Sequence, residues 1–302
     1  PSAASGRSNA IWLLPISTGA LYCPVYTYSM SDLANISIVI KTFEREEALR
    51  ALLASIRPTI YRQCPILIVD DSRHPYRDAI LADYSDIVNE YAVLPFDTGV
   101  SEGRNELLRR VQTEYFVLND DDFVFDERTD LEWMRNTVAS HDLDLLGGLF
   151  YDQTPYLPPP EASVPTRAWC RLLRVLGRSR ERVRKYQGLL EVVGDTLVMQ
   201  PIEVEYPFSR CDYTHFFFLA RTDAVRRKVG GWDPKLKIRG HWEFFYRAKL
   251  HGLRVASTEE VGVKHHPIGN TQVYKHFRND RGDQFETLAL KQHGLTRKKW
   301  LA

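Results

Sequence analysis

The sequence predicts an α/β fold built on a mostly parallel sheet, and three stretches carry that prediction. Ile36 to Ile40 is a short run rich in β-branched residues and reads as a buried strand. Behind it, Ala48, Leu49, Leu52, Leu53 and Ile56 recur at helical spacing within Glu44–Arg57. Pro65 to Ser72 is then a second apolar run, and it ends in Asp70 and Asp71. Strand, helix and strand in that rhythm imply a βαβ unit and parallel pairing.

Composition bounds the rest. A chain of 302 residues, 44% hydrophobic and 26% charged, has the make-up of a globular protein and room for one large or two small domains. A net charge of +1 supplies no global field for nucleic acid. Cys23, Cys64, Cys170 and Cys211 are far apart with no C-x-x-C pair, which argues against zinc and leaves disulfides and free thiols both open. Asn35-Ile36-Ser37 has the form of a glycosylation acceptor but abuts a strand. The most apolar early stretch, 11–28, is interrupted by Pro15, Gly19 and Pro24, and no stretch is long and apolar enough to span a bilayer. Residues 1–31 read as a stem or extension and 32–302 as the domain. The chain does not begin with Met and reads as a piece of something longer.

Within the domain, Thr42 is placed to cap the first helix and Pro58 to stop it. A third strand, Ala92 to Phe96, leads to Asp97-Thr-Gly-Val-Ser-Glu-Gly-Arg-Asn105, where Gly99 and Gly103 allow close backbone approach and Ser101 is expected to cap a helix through Val111. That helix would turn free N–H groups toward a ligand crevice, and Arg104 can fork onto a phosphate or a carboxylate. Thr129 is expected to start another helix, Asp144 to Phe150 to return as a strand, and Pro155 to Pro165 to form an irregular loop. From Arg167 to Lys185 the chain is basic, with Glu181 the lone acid among eight cations, and reads as a solvated face or mobile lid in preference to a surface for acidic ligands or lipid head groups. Leu189 to Tyr206 suggests a hairpin, Phe216 to Ala220 a buried strand, and Val261 to Pro267 a strand ending in His265 and His266. The tail through Arg278, Arg281 and Lys298-Lys299-Trp300 reads as helical.

The chemistry concentrates in Tyr115-Phe-Val-Leu-Asn-Asp-Asp-Asp122. Three adjacent carboxylates at the end of a core strand repel one another and lose hydration, which is costly unless a cation sits there. Ligands of open α/β sheets bind outside the carboxyl ends of the strands, so position and charge agree on a divalent metal holding a phosphate. Oxygen ligands favour Mg²⁺ or Mn²⁺. Asp70 and Asp71 stand where a ribose or base could donate to them. Glu243, in the first turn of a helix entered by Gly240-His241-Trp242, is a candidate general base, with burial raising its pKa and the helix N-terminus opposing.

Taken in order, these blocks resemble the metal-dependent glycosyltransferases of the GT-A fold, and more closely the ganglioside-type β-1,4-N-acetylgalactosaminyltransferases. The blocks are Lys41-Thr-Phe-x-Arg45, Val69-Asp-Asp-Ser72, Gly103-Arg-Asn105, Asp120-Asp-Asp-Phe-Val-Phe125, Leu143-Asp-Leu-Leu-Gly-Gly148, Phe217-Phe-Leu-Ala-Arg-Thr222 and His241-x-Glu-Phe-Phe245. The resemblance implies a single GT-A domain that moves a sugar, GalNAc first among GlcNAc, Gal and Glc, from a UDP-sugar to a hydroxyl of a glycan or glycolipid with inversion. It implies that Asp120, Asp122 and His265 hold Mn²⁺ (or Mg²⁺), with His266 the fallback, and that Glu243 is the base. It places Thr42, Asp70, Asp71, Gly103, Arg104, Asn105, Asp120, Asp121 and Asp212 around the nucleotide-sugar. It implies the Golgi lumen with an anchor upstream of Pro1; a bacterial cytosolic or membrane-peripheral relative is the alternative. Tyr213-Thr-His215 and the basic segment depart from the pattern, which leaves the acceptor undefined. A nucleotidyltransferase would need glycines where Lys41-Thr-Phe-Glu-Arg45 stands. A non-catalytic carbohydrate-binding protein would need neither the carboxylate cluster nor Glu243.

Overall fold

The computed structural model describes residues 33–155, 161, 163–175 and 179–301; the stem expected over 1–31, including Cys23, lies outside the described residues. In chain order the strands are β1 (Ile36–Thr42), β2 (Ile66–Asp70), β3 (Val88–Val93), β4 (Tyr115–Asp120), β5 (Phe123–Val124), β6 (Leu145–Pro155), β7 (Ser179–Arg184), β8 (Gly188–Val193), β9 (Thr196–Pro201), β10 (Ser209–Cys211), β11 (Phe218–Arg221), β12 (Val255–His265) and β13 (Arg297–Trp300). The helices are α1 (Glu46–Ile56), α2 (Arg77–Tyr84), α3 (Val100–Arg110), α4 (Leu131–Ser140), α5 (Val164–Val175), α6 (Thr222–Ala224), α7 (His241–Leu250), α8 (Gln272–Lys275) and α9 (Gly282–Gln292).

The main sheet runs β10-β12-β6-β11-β4-β1-β2-β3. Strands β3, β2, β1 and β4 are mutually parallel, and β11 inserts antiparallel between β4 and β6. Strand β12 lies parallel to β6, and β7 extends β6 as an antiparallel ladder. A smaller sheet of β13, β9 and β8 sits beside it.

Burial explains why β1, β2 and β4 read as unbroken apolar runs: they are covered on both faces. Ile36, Ile38 and Ile40 pack with Leu49, Leu52 and Leu53 of α1 and with Met134 and Val138 of α4. The alternate residue Val39 points the other way, into a cluster with Leu107 of α3, Phe218, and Phe244 and Phe245 of α7. Each such side chain contributes about 1.5–3 kcal/mol by leaving water.

Several local expectations differ from what forms. Helix α1 begins after Arg45, which carries no capping side-chain bond, while Thr42 ends β1 and turns its hydroxyl to Asp121. Helix α3 is entered through Gly99 at φ 106°, so Gly99, not Ser101, is the cap, and Ser101 is buried within the first turn. Asp130, not Thr129, caps α4, accepting from the Trp133 N–H at 2.9 Å. The third strand starts earlier than expected, at Val88, and α2 carries a helical signal too weak to read, with Ile80 its one buried residue. Of the expected loop Pro155–Pro165, residues 156–160 and 162 lie outside the described residues, Val164 and Pro165 open α5, and the basic segment continues as strand β7. The final Lys-Lys-Trp is strand β13, not helix, because it pairs in parallel with β9. Cys64, Cys170 and Cys211 are free and buried. Among the described residues no helix is long and apolar enough to cross a membrane.

Candidate active site

The parallel strands β1, β2 and β4 end side by side, with Lys41 opposite Val69 on one side and Asp120 on the other. That register brings Lys41, Thr42, Asp70, Asp71 and Asp120–Asp122 into one crevice. A cavity of about 80 Å³ there is lined by Thr42, Phe43, Val100, Asp121, Tyr274 and Arg278, among others.

The carboxylates are balanced by cations from other elements. Arg45 donates from Nη1 to Asp122 Oδ2 at 2.5 Å and from Nη2 to Asp121 Oδ1, while its guanidinium lies over the Tyr274 ring, 4.3 Å from the centroid. Asp121 also accepts from Thr42 Oγ1 at 2.8 Å. Arg104 reaches from α3 to Asp120 Oδ1 at 2.7 Å and stacks 4.0 Å from the Phe216 ring centroid. His265 sits with Nε2 3.3 Å from Asp122 Oδ2 and Nδ1 on Asp152 Oδ1, and Arg184 holds the other Asp152 oxygen at 2.7 Å.

Two opposed effects set the protonation of this cluster. Burial pushes the Asp121 carboxyl up to about 6 against the pull of Arg45. Burial would raise Asp122 too, but Arg45 and His265 outweigh it and hold it below the usual carboxylate range. Burial would lower the His265 imidazole, yet Asp122 and Asp152 on either side outweigh it and raise it.

The second pair behaves differently. Asp70 is fully buried and already saturated: Oδ1 accepts from the Ser72 N–H at 2.8 Å, and Oδ2 from the Tyr76 N–H at 3.1 Å and the Tyr91 hydroxyl at 2.8 Å. Asp71 accepts from Lys41, from the Gly99 N–H at 2.7 Å, and from Arg278 at 3.0 and 3.1 Å. Burial would raise Asp71, but Lys41 and Arg278 hold it below its ordinary value. Arg278 lies 3.6 Å from the Phe43 ring centroid and also binds Asp97, as do Arg281 and Lys237. Gly103 faces the Lys41 stem: a Cβ there would lie 2.4 Å from Lys41 Cδ and Cε.

Three expected site residues make their hydrogen bonds away from the carboxylate cluster. Asn105 clamps the backbone of Trp232, accepting from its N–H at 2.7 Å and donating to its carbonyl at 2.8 Å. Asp212 accepts from Leu190 N–H and Lys249 Nζ, both at 2.7 Å, and pins β8 to the C-terminal end of α7, away from the cluster. Glu243 is buried in the first turn of α7, with Oε1 accepting from Arg247 Nε at 2.6 Å and Oε2 from Nη2 at 3.1 Å, and His293 Nε2 3.2 Å from Oε1. Arg247 in turn holds the carbonyls of Val229 and Gly231. Both Glu243 oxygens are thus committed to a clamp between α7, the 229–231 turn and the end of α9, and none of its hydrogen bonds reaches Asp120–Asp122. The neighbour that does reach the site wall is His241, stacked on Phe216 at 3.6 Å with Nε2 on the Thr214 carbonyl at 2.8 Å.

The residues that sequence reasoning left without a role are Arg45, Asp97, Asp152, Tyr274 and Arg278. Lys41 and Arg45 lie in a block already singled out. Arg278 and Tyr274 carry no local signal, because only the tertiary fold returns the segment after β12 to the ends of β1 and β2.

The family described as Glycosyl transferase family 2 matches residues 37–186, a span that contains β2, β3, β4, nearly all of β1, and the Asp70–Asp71 and Asp120–Asp122 carboxylates. That span is a family 2 glycosyltransferase domain. This domain and the chain beyond it are 36% identical over 248 residues to β-1,4 N-acetylgalactosaminyltransferase 1 of Rattus norvegicus, and 34% identical over 247 residues to the Homo sapiens protein of that name. β-1,4 N-acetylgalactosaminyltransferase 2 of Mus musculus is 30% identical over 240 residues. The first two alignments cover 79% of this chain but 40% of those proteins, so the chain spans about two fifths of the length of the curated relatives it matches.

Among solved structures, S. aureus TarS superposes with a TM-score of 0.51 at 15% identity, covering 86% of this chain and 43% of that one. TarS 1–349 in complex with UDP-GlcNAc gives 0.50 at 15% identity over 76% of this chain and 57% of that one. The mannosyltransferase PcManGT from Pyrobaculum calidifontis, solved with GDP-Man and Mn²⁺, gives 0.50 at 12% identity over 85% of this chain and 64% of that one. At these identities the likeness is one of fold, and the family 2 domain has the GT-A architecture.

Among the described residues no three His, Cys, Asp or Glu side chains converge on one point as arranged. Arg45 stands between Asp121 and Asp122, and Asp120 is drawn to Arg104. The chemistry of the donor set nevertheless fits a hard divalent cation: adjacent buried carboxylates that already gather guanidinium groups, with an imidazole at the same oxygen.

Proposed function

We propose that this family 2 domain transfers a sugar, GalNAc in the first instance, from a UDP-sugar to a hydroxyl of a glycan or glycolipid acceptor, with inversion at the anomeric carbon. The observation that carries the reading is the Asp120–Asp122 cluster at the end of β4, whose carboxylates meet the guanidinium groups of Arg45 and Arg104 in the crevice. The relatives named N-acetylgalactosaminyltransferases support GalNAc as the donor sugar. Nucleotidyl transfer and non-catalytic sugar binding fit less well, since the relatives across most of the chain carry transferase names.

In this reading Asp120, Asp122 and His265 hold Mn²⁺ or Mg²⁺, which when bound supplies neutralisation of the charge that develops on the departing diphosphate. The residues of the chain do the rest. Asp70 and Asp71 lie on the side of the crevice where the base would sit, with Asp71 presenting a carboxylate now held by Lys41 and Arg278. Arg45 and Arg104 release carboxylates and are then free to face phosphate oxygens, for which a planar donor fork is suited. Phe216 and His241 wall the sugar side. The acceptor hydroxyl loses its proton as its oxygen attacks the anomeric carbon, and the C–O bond to the diphosphate breaks on the opposite face. Glu243 receives that proton in this reading, which requires it to leave Arg247. The same proposal includes a Golgi-lumenal location with an anchor preceding Pro1, as the family resemblance implies.

The test is UDP release from a panel of UDP-sugars with Mn²⁺ and acceptor, run beside calorimetry of UDP with and without the metal. Metal-independent UDP binding with no turnover on any donor would refute the reading. Glu243→Gln separates its two roles. A base should lose about a hundredfold or more in turnover with UDP binding and melting temperature kept; a clamp should lose stability with turnover largely kept.

A further inference from the structure

The family 2 reading does not use α5, and its surface is unlike the rest of the molecule. Val164, Ala168, Leu172 and Val175 follow at steps of four, four and three residues and form one stripe along the helix. Trp169 borders that stripe. These side chains are exposed: Val164 is 80%, Trp169 60% and Val175 77% accessible. Arg167 and Arg171, four residues apart, lie on the adjoining face, and the helix contains no acidic residue. Cys170, on the remaining side, is buried and seats the helix on the body. Strand β7 continues the pattern with exposed Arg180, Val183 and Arg182.

An apolar stripe of Trp, Leu and Val flanked by arginines is the composition of a helix that lies in a membrane interface. A contiguous exposed apolar face is also uncommon on a monomer without a partner. The charge points to the partner: arginines that outnumber the single acid Glu181 across α5 and β7 complement an anionic surface, and the neighbouring apolar side chains have somewhere to go only if that surface has a hydrocarbon layer beneath it. We propose that α5 and the adjoining part of β7 form a docking surface for an anionic lipid bilayer.

The placement gives this surface a purpose. Strand β6 runs out from the sheet to Pro155, and Asp152, three residues before its end, hydrogen-bonds His265 beside Asp122. The end of the β6–β7 ladder that leads into α5 is therefore about 10 Å of strand from the carboxylate cluster. A bilayer bound there would bring lipid-borne hydroxyls to the mouth of the crevice. The docking itself requires nothing of the sugar chemistry, so the two readings fail separately.

The experiment is flotation of the full chain with vesicles of phosphatidylcholine alone and with about a third phosphatidylserine. We expect binding to the anionic vesicles, weakened by salt. Paired reversal, Arg167→Glu with Arg171→Glu, should lower partitioning by about 25-fold or more, from roughly fivefold per charge. Trp169→Ser with Leu172→Ser should lower it on anionic vesicles at any salt concentration. Unchanged melting temperature and UDP binding exclude misfolding, and if the apolar pair does not fold, the arginine pair alone decides. Equal binding to both vesicle types, no binding to either, or concentration-dependent self-association abolished by the Trp169 and Leu172 changes would each overturn the proposal, the last in favour of a second copy of the chain.

Discussion

Strands β2 and β4 both end in adjacent aspartates, and the fold treats the two ends in opposite ways. At β2, Asp70 is satisfied by neutral donors, the Ser72 and Tyr76 N–H groups of its own turn and the Tyr91 hydroxyl of the neighbouring strand. At β4, Asp120, Asp121 and Asp122 are satisfied by Arg45, Arg104, Thr42 and His265, side chains from three other elements that end on flexible stems or at a strand end. Asp71 is intermediate, with one backbone donor and two cations. The lesson is that a buried carboxylate serves structure when neutral local groups complete its hydrogen bonds. It is available to a ligand when charged side chains from other elements do so, because a bound cation and phosphate can take over the carboxylate and the guanidinium together.

The largest expected effect tests the β4 end. Asp122→Asn should cut transfer and Mn²⁺-dependent UDP binding by about a hundredfold or more, read by calorimetry and UDP release; near-normal binding would erase the contrast. Next, Arg278→Met removes a cation shared by the buried Asp71 and Asp97. It should cost about 3 kcal/mol or more in urea unfolding. A smaller loss of about 1–3 kcal/mol is expected for Asp70→Asn, which gives up one of two acceptor oxygens and so leaves either the Ser72 N–H or the Tyr76 and Tyr91 donors unpaired, with UDP affinity unchanged. A fall in UDP affinity there would move Asp70 from scaffold to site.

The smallest effect concerns pH. Asp71 is held below its ordinary value, so its stabilising share is complete above about pH 4 and is lost as the pH falls through its lower folded value. The gap in unfolding free energy between the native chain and Asp71→Asn should therefore be level near neutrality and close in acid. A gap that widens in acid would reverse the assignment.

How much of this could be read beforehand follows the same division. Strands β1, β2 and β4 were legible because burial on both faces makes them continuous apolar runs, and α1 because its buried face repeats at helical spacing. Asp120–Asp122 stood out because like charges in sequence are like charges in space. Glu243 is the instructive case: its place in the first turn of α7 and the i+4 spacing to Arg247 were legible, but His293, brought from the end of α9, was not. Arg278 was invisible for the complementary reason, since its role is set by Phe43 and Asp71, more than 200 positions away in the chain. Boundaries slipped where a backbone turn replaced a side-chain cap, as at Gly99 before α3.

The Lys41 stem passes so close to Gly103 that not even a methyl group fits between them. One hydrocarbon arm thus links the last turn of β1, the carboxylate at the end of β2 and the helix that presents Arg104. Anyone wishing to detune the crevice without touching a charged group has a single dial: bulk added at position 103 would lever the ammonium off Asp71 and shift Arg104 in the same stroke.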